Sequence, residues 1–225
     1  MRIHWVVFDL NGTLFDPSPI SRALPPPSDD AATALSLLND TVFQAMADTL
    51  AGRYRPFTEY LGAAVRRHLV LAGHPAEAGV EQAVAAAGCL PPFPEASQAL
   101  AALADAGLRI ATITNSPTAT AERALTEAGL RDRFAHVVGS DTCEAYKPAR
   151  AVYDNGLRRI GVDASDACMV AAHGWDLLGA HQAGMRTAWI SRGEGRRLDT
   201  VPLPDVTGDD LLDTARAIVA ANTAS

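Results

Sequence analysis

The sequence is poor in cysteine, in basic residues and in long apolar runs, and each shortage argues against a class of protein. The 225 residues include three cysteines, Cys89, Cys143 and Cys168, and no two of them form a CxxC pair. Such an odd, scattered set suggests neither a disulfide framework nor a zinc site. We therefore expect a protein of a reducing compartment, the cytoplasm.

Basic residues are outnumbered, with 19 Lys+Arg against 26 Asp+Glu and a formal net charge of −7. A nucleic-acid-binding protein needs a basic face to displace the counterions of phosphate, so this balance argues against one. The apolar run at residues 3–10 is too short for a signal peptide or a membrane span. Because 48% of the residues are hydrophobic, the chain can still bury a core. We expect a soluble protein that binds a small molecule, without nucleic-acid or membrane partners.

Short apolar runs alternate with stretches of helical periodicity over most of the chain. The runs predict strands at residues 3–8, 108–114, 136–140, 168–172 and 187–190. Helices are predicted over residues 95–106, 118–129, 149–160, 175–183 and 211–221. Alternating strands and helices are typical of right-handed βαβ units. The predicted fold class is therefore α/β, a three-layer, Rossmann-like parallel sheet core.

One segment interrupts this alternation. Residues 17–88 contain no convincing strand, but apolar residues recur at helical spacing in 31–50, 57–71 and 76–87. Prolines near both ends of the segment would fix the chain direction where it crosses between two bodies. We therefore predict an α/β core domain of residues 1–16 and 89–225 with an inserted helical cap domain of residues 17–88. The Leu-rich helix 31–50 is a candidate homodimer surface, and the oligomeric state is left open.

Polar residues stand where the predicted strands end, which is where open α/β sheets bind ligands. In chain order these are Asp9, Thr114 with Asn115, Lys147 after a loop, and Asp176. Asp9 follows a six-residue run that is apolar except for His4, and Gly12 would let the backbone curl so that its amides face the carboxylate. An ionised carboxylate there can attack carbon or phosphorus and form a covalent ester or acyl phosphate. The structural alternative is that Asp9 caps a turn.

Four motifs in this order resemble the haloacid dehalogenase superfamily: FDLNGTL at 8–14, TNS at 114–116, YKP at 146–148 and WDLLGA at 175–180. The helical insertion matches the cap of that superfamily. The resemblance implies a catalytic set of Asp9 as nucleophile, Lys147 as the neutralising cation and Asp176 as the fourth-motif acid. The residues predicted to bind substrate are Asn11, Thr13, Thr114, Asn115, Tyr153, His173 and Trp175.

Two departures bear on the branch within the superfamily. Phosphatases of the superfamily carry a general-acid aspartate where this chain has Asn11, and an acid that helps to hold Mg²⁺ where it has Ala172. A dehalogenase needs neither group, because halide leaves without a proton. Residues 170–176, Lys147 and Tyr153 resemble the type II 2-haloacid dehalogenases. That resemblance implies an SN2 attack by Asp9 and an ester that water then hydrolyses near Asp176, with help from His173. No metal or other cofactor is expected, unless the protein is a magnesium-dependent phosphatase.

A third departure weakens the small-haloacid assignment. The resembled enzymes clasp the substrate carboxylate with an arginine early in the cap, whereas residues 23–52 contain no arginine or lysine. Either Arg22 or Arg53 reaches the site, or the apolar stretch around Leu37 favours a larger or less charged substrate. The alternatives left open are a phosphatase, a hydrolase of another carbon electrophile such as an epoxide, and a non-catalytic binding homologue. Purely structural roles also compete: loop orientation for His173, and packing for Tyr153 and Trp175.

Overall fold

The computed structural model describes residues 2–223 and contains one six-stranded, all-parallel sheet. The strands lie in the order β3-β2-β1-β4-β5-β6. Their bounds are β1 Trp5–Phe8, β2 Arg109–Ile113, β3 His136–Val138, β4 Ala167–Ala171, β5 Arg186–Ile190 and β6 Val206–Gly208. The α/β fold class and the five predicted strands are confirmed. The sixth strand was not predicted, because its three residues, VTG, carry too little apolar pattern.

Helices surround this sheet and also fill the segment between β1 and β2. They are α1 Pro19–Arg22, α2 Ala31–Leu50, α3 Phe57–Leu71, α4 Val80–Ala86, α5 Ala96–Asp105, α6 Thr118–Glu127, α7 Arg150–Ile160, α8 Gly174–Gln182 and α9 Leu211–Thr223. The predicted helix at 76–87 begins only at Val80, since Gly79 has a left-handed φ of +87° that interrupts the helical backbone. The four-residue helix α1 was not predicted.

The central strand β1 is buried on both faces, as expected inside a parallel sheet. Val6 and Phe8 belong to one apolar cluster, which includes residues of α5, α6 and α9. Trp5 and Val7 belong to another cluster, formed with residues of α7 and α8. Alternate side chains of one strand therefore bind two helical layers to the sheet, which gives the three-layer core.

The chain leaves and re-enters the core at adjacent points. The backbone N–H of Asp16 donates to the carbonyl of Pro91 at 2.8 Å, and that of Phe93 donates to Leu14 at 2.9 Å. Between these crossings, residues 17–88 include α1 to α4 and no strand. The division into a core of 1–16 and 89–225 and a cap of 17–88 stays a prediction; Met1, Ala224 and Ser225 of that core lie outside the described residues.

Part of the Leu-rich helix α2, which suggested a homodimer surface, is turned inward. Leu37 and Leu38 are buried in the main apolar cluster, whereas Phe43 and Leu50 of the same helix are 71% and 90% exposed. The homodimer surface stays a prediction, because Leu37 and Leu38 pack within the chain while Leu50 of the same helix is exposed. Within residues 2–223 no helix is both long and apolar enough to cross a membrane.

Candidate active site

Asp9 lies directly after β1 and its carboxylate is held in a fixed orientation. Its side chain is buried, and its backbone N–H donates to Val170 of the neighbouring strand at 3.0 Å. The hydroxyl of Thr13 donates to Asp9 Oδ2 at 2.9 Å and accepts the N–H of Ala172 at 3.0 Å. The backbone does curl at Gly12, which has a φ of +82°. The sequence predicted that backbone amides of this turn face the Asp9 carboxylate. The amides of Thr13, Leu14 and Phe15 donate instead to the carbonyl of Leu10. The Thr13 hydroxyl takes that role instead.

Lys147 joins the two predicted carboxylates. Its Nζ donates to Asp9 Oδ1 at 3.2 Å and to Asp176 Oδ2 at 2.7 Å, and its side chain is 0% exposed. Burial alone lowers the pKa of Lys147, but Asp176 and Asp9 outweigh that effect and raise it. It is the only lysine in the chain. A compact ammonium on a flexible stem can fit between two carboxylates, where a planar guanidinium requires a different geometry.

Asp176 stands in the first turn of α8 and is completely buried. Burial raises the pKa of its carboxyl group, and the Lys147 ammonium partly opposes that rise. The hydroxyl of Tyr153 donates to the other oxygen, Oδ1, at 2.6 Å, and burial raises the pKa of Tyr153 well above its ordinary value. Gly179, one turn further along α8, makes room for this tyrosine: a Cβ there would lie 2.5 Å from its hydroxyl oxygen. Tyr153 is thus a buried partner of the carboxylate.

The loop after β2 brings three polar side chains to the same edge of the sheet. Thr114 accepts the N–H of Ser116 at 3.2 Å, which shapes the loop itself. Asn115 accepts the backbone N–H of Lys147 through Oδ1 at 2.9 Å, while its buried Nδ2 has no partner among the described residues. Asn11 donates to the hydroxyl of Ser116 at 3.3 Å. Ser116, which the sequence prediction left out, therefore belongs to the site, and Asn115 Nδ2 is an unused donor within it.

His173 and Trp175 form one stacked pair next to the Asp9 loop. Their ring centroids are 5.3 Å apart, with an interplanar angle of 9°. His173 Nε2 donates to the carbonyl of Asn11 at 3.2 Å, and a Cβ on Gly12 would lie 2.8 Å from that nitrogen. The histidine thus orients the loop that follows the nucleophile, and only glycine at position 12 leaves room for it.

The donor set does not fit a magnesium site. Within residues 2–223, no group of three or more His, Cys, Asp and Glu side chains is placed to hold a metal ion. A cation placed between Asp9 and Asp176 would meet the Lys147 ammonium, which already contacts both carboxylates. Lys147 therefore supplies the positive charge that these two carboxylates require.

Tyr146, next to Lys147 in the chain, connects the sheet-bearing part of the fold to the inserted helical segment of residues 17–88, called the cap segment below. Its hydroxyl donates to the carbonyl of Arg55 at 2.6 Å, and its backbone N–H donates to Thr49 at 3.1 Å. Its ring stacks on Tyr54 at 5.2 Å and touches Phe57 and Tyr60. A fully buried aromatic ring thus anchors the cap segment beside the lysine of the site.

A crevice of about 90 Å³ opens between the cap segment and the core. Asn11, Ser116 and Arg123 are among the core residues that line it, and Phe57 and Leu61 are among the cap residues. Neither of the arginines considered from the sequence lines this crevice. Arg53 lines a separate cap cavity of about 440 Å³, with Asp48 and Arg55. The sequence offered no signal for Arg123, because its helix and the cap are brought together only by folding.

Several known proteins are similar to this chain in sequence and in fold. Residues 3–184 match the family model of haloacid dehalogenase-like hydrolases. The chain is 30% identical to the (S)-2-haloacid dehalogenase of Pseudomonas sp. strain YL over 196 residues, covering 84% of this chain and 83% of that protein. The L-2-haloacid dehalogenase structure from Xanthobacter autotrophicus, with chloropropionic acid covalently bound, has a TM-score of 0.86 at 25% identity, covering 96% of this chain and 98% of that chain. Another L-2-haloacid dehalogenase structure reaches 0.88 at 28% identity, covering 99% and 100%.

Proposed function

Because this chain belongs to the haloacid dehalogenase-like hydrolases, we propose that it is a 2-haloacid dehalogenase that uses Asp9 as a covalent nucleophile and needs no metal ion. The single observation that carries the proposal is the Lys147 ammonium between Asp9 and Asp176, at 3.2 Å and 2.7 Å. In that arrangement the Lys147 ammonium balances the charge of the two carboxylates, a task that a metal ion would otherwise perform. The related (S)-2-haloacid dehalogenases support the carbon–halogen bond as the target.

In the first step, one carboxylate oxygen of Asp9 attacks the carbon that bears the halogen. The new C–O bond forms as the C–X bond breaks, and the bonding electrons leave with the halide. Lys147 and Thr13 hold the carboxylate from both oxygens, so little reorganisation is needed during attack. Nδ2 of Asn115, which has no hydrogen-bond partner among the described residues, donates to the departing halide.

In the second step, water attacks the carbonyl carbon of the Asp9 ester. The tetrahedral intermediate carries negative charge on oxygen, and the Lys147 ammonium and the Thr13 hydroxyl stabilise it. Asp176, whose pKa is raised by burial, accepts the proton of the water. His173 holds the loop that positions the ester. The C–O bond to Asp9 then breaks at the acyl carbon, which frees a 2-hydroxy acid with inverted configuration and restores the carboxylate.

The test measures halide release from 2-chloropropanoate in buffer containing EDTA. We expect turnover by the parent protein and none by Asp9→Asn. In Asp176→Asn, we expect at most one halide per chain and a mass increase on the Asp9 peptide, because the ester forms and is not hydrolysed. Magnesium-dependent cleavage of an aryl phosphate, with no halide release, would identify the protein as a phosphatase instead. Absence of both activities and of any adduct would leave the non-catalytic binding role.

The proposal also covers the role of the cap, the oligomeric state and the location of the protein in the cell. Residues 17–88 act as a cap that closes over the crevice and excludes water during attack on carbon. The exposed Phe43 and Leu50 of α2 support a homodimer, which light scattering at micromolar concentration tests. The three cysteines are all free, which supports a cytoplasmic location.

A further inference from the structure

Arg123 is the one charged residue among the described residues that line the crevice between the cap segment and the core. The other residues of the lining are neutral: Asn11, Phe57, Thr58, Leu61, Val84, Ala85, Ala87, Gly88, Ser116, Pro117 and Thr120. The crevice is thus apolar along the cap and polar along the core, with a single cation. An anionic substrate that enters it meets that cation.

The guanidinium of Arg123 reaches across from α6 to the end of the cap segment. A Cβ added to Gly88 would lie 2.7 Å from Nη2 of Arg123. Within residues 2–223 the Arg123 side chain forms no hydrogen bond and no ion pair, whereas Arg131 nearby pairs with Glu122. Its charge acts on the Cys89 thiol, which also contacts Glu127, but among the described residues no ion pair occupies its planar set of N–H donors, and these can bind a carboxylate with two parallel hydrogen bonds.

Other cations are poorly placed for this task. Residues 23–52 contain no arginine or lysine, and Arg53 lines a different cavity. Lys147 is fully buried and already bonded to two carboxylates. Asp9 itself does not line the crevice, but Asn11, two residues after it, and Ser116, next to Asn115, do.

We propose that Arg123 binds the carboxylate of the substrate and thereby selects haloacids over neutral halogenated compounds. This inference rests on the proposed function and identifies its specificity-determining residue. The apolar side chains of Phe57, Leu61 and Val84 accommodate the carbon chain of the substrate, while the exposed Arg123 guanidinium meets its carboxylate.

The experiment compares 2-chloropropanoate with the neutral 2-chloropropanamide in Arg123→Ala, Arg123→Lys and Arg133→Ala. Arg133 is a matched control, since it is also an exposed arginine without an ion pair among the described residues. In Arg123→Ala we expect kcat/KM for the acid to fall about 10- to 100-fold, mostly through KM, and the value for the amide to stay within about twofold. For Arg123→Lys we expect a kcat/KM for the acid between those of the parent and Arg123→Ala. Equal losses on acid and amide, or no loss on the acid, overturn the inference.

A binding measurement separates this inference from the proposed function. Propanoate carries the carboxylate but no halogen, so its Kd can be measured by calorimetry even when no substrate turns over. We expect Arg123→Ala to weaken propanoate binding about tenfold or more and Arg133→Ala to leave it unchanged. If the parent protein releases no halide but binds propanoate through Arg123, the proposed reaction fails and the carboxylate site stands. Identical binding by the parent and Arg123→Ala overturns the inference whatever the activity.

Discussion

Replacing Lys147 by methionine removes the buried cation between two carboxylates. The ammonium lies 3.2 Å from Asp9 and 2.7 Å from Asp176, and the Lys147 and Asp176 side chains are both 0% exposed. Breaking a buried ion pair by removing one partner costs about 3–5 kcal/mol, because the other charge stays buried without compensation. We expect the free energy of unfolding at pH 7 to fall by about that amount, and halide release to stop.

The loss of unfolding free energy in Lys147→Met should depend on pH in a defined direction. Burial raises the pKa of Asp176 and Lys147 opposes that rise, so the pKa rises further when the lysine is gone. A carboxyl group whose pKa is higher in the folded state gains stability as the pH falls through that pKa and loses it as the pH rises. The unfolding free energy of Lys147→Met should therefore come closer to that of the parent between pH 7 and pH 5, by at most about 1.4 kcal/mol per pH unit.

Urea unfolding followed by circular dichroism at pH 5, 6 and 7 measures both effects. The control is Lys147→Met combined with Asp176→Asn, in which the more deeply buried of the two stranded carboxylates is also removed. We expect the double variant to recover much of the lost free energy of unfolding. Its remaining difference from the parent should change less between pH 7 and pH 5 than that of the single variant. A single variant that loses less than about 1 kcal/mol, or whose deficit is the same at all three pH values, would refute the view that Lys147 neutralises buried carboxylates.

Three further predictions follow from the packing around the site. Gly179→Ala places a Cβ 2.5 Å from the Tyr153 hydroxyl and should cost about 1–3 kcal/mol in urea unfolding, whereas Gly193→Ala, which meets no atom within 4 Å, should be near neutral. Tyr146→Phe removes one bond to the cap backbone and should lower the unfolding free energy by about 1 kcal/mol; an unchanged midpoint would contradict that role. Burial raises the pKa of Tyr153, so the stability gained from its neutral form is lost as the pH rises above 10 through the folded-state value. Tyr153→Phe should flatten that alkaline loss, and an unchanged pH profile would count against it.

Much of the fold was predictable because its signals are local. The apolar run that ends at Asp9 and the runs at β2, β4 and β5 identify buried parallel strands without knowledge of their neighbours. The parallel arrangement then predicts that Asp9, Asn115 and Asp176 lie at one edge. Two elements were predicted poorly because their local signals are weak. Strand β6 has only three residues, and the start of α4 depends on the left-handed backbone of Gly79.

The details of the site depend on contacts between residues far apart in the chain. Tyr153 was predicted to bind substrate, yet its hydroxyl donates to Asp176. Lys147 was predicted as the cation for Asp9, and it contacts both carboxylates with no exposed surface. Neither the partner of a buried hydrogen bond nor the degree of burial can be obtained from local pattern, because both are set by tertiary packing.

By itself, the sequence determined the α/β class, the helical insertion and the identity of the chemical groups, because strand patterns and residue types are local properties. Only the tertiary structure decided which hydrogen bonds and ion pairs those groups form with one another, and which arginine faces the crevice. Arg22 and Arg53 flank the predicted cap helix in the chain, yet Arg123 is the one that folding brings to the crevice. The packing of its helix decides which surface an arginine side chain reaches, and the position of that arginine in the sequence does not reveal this.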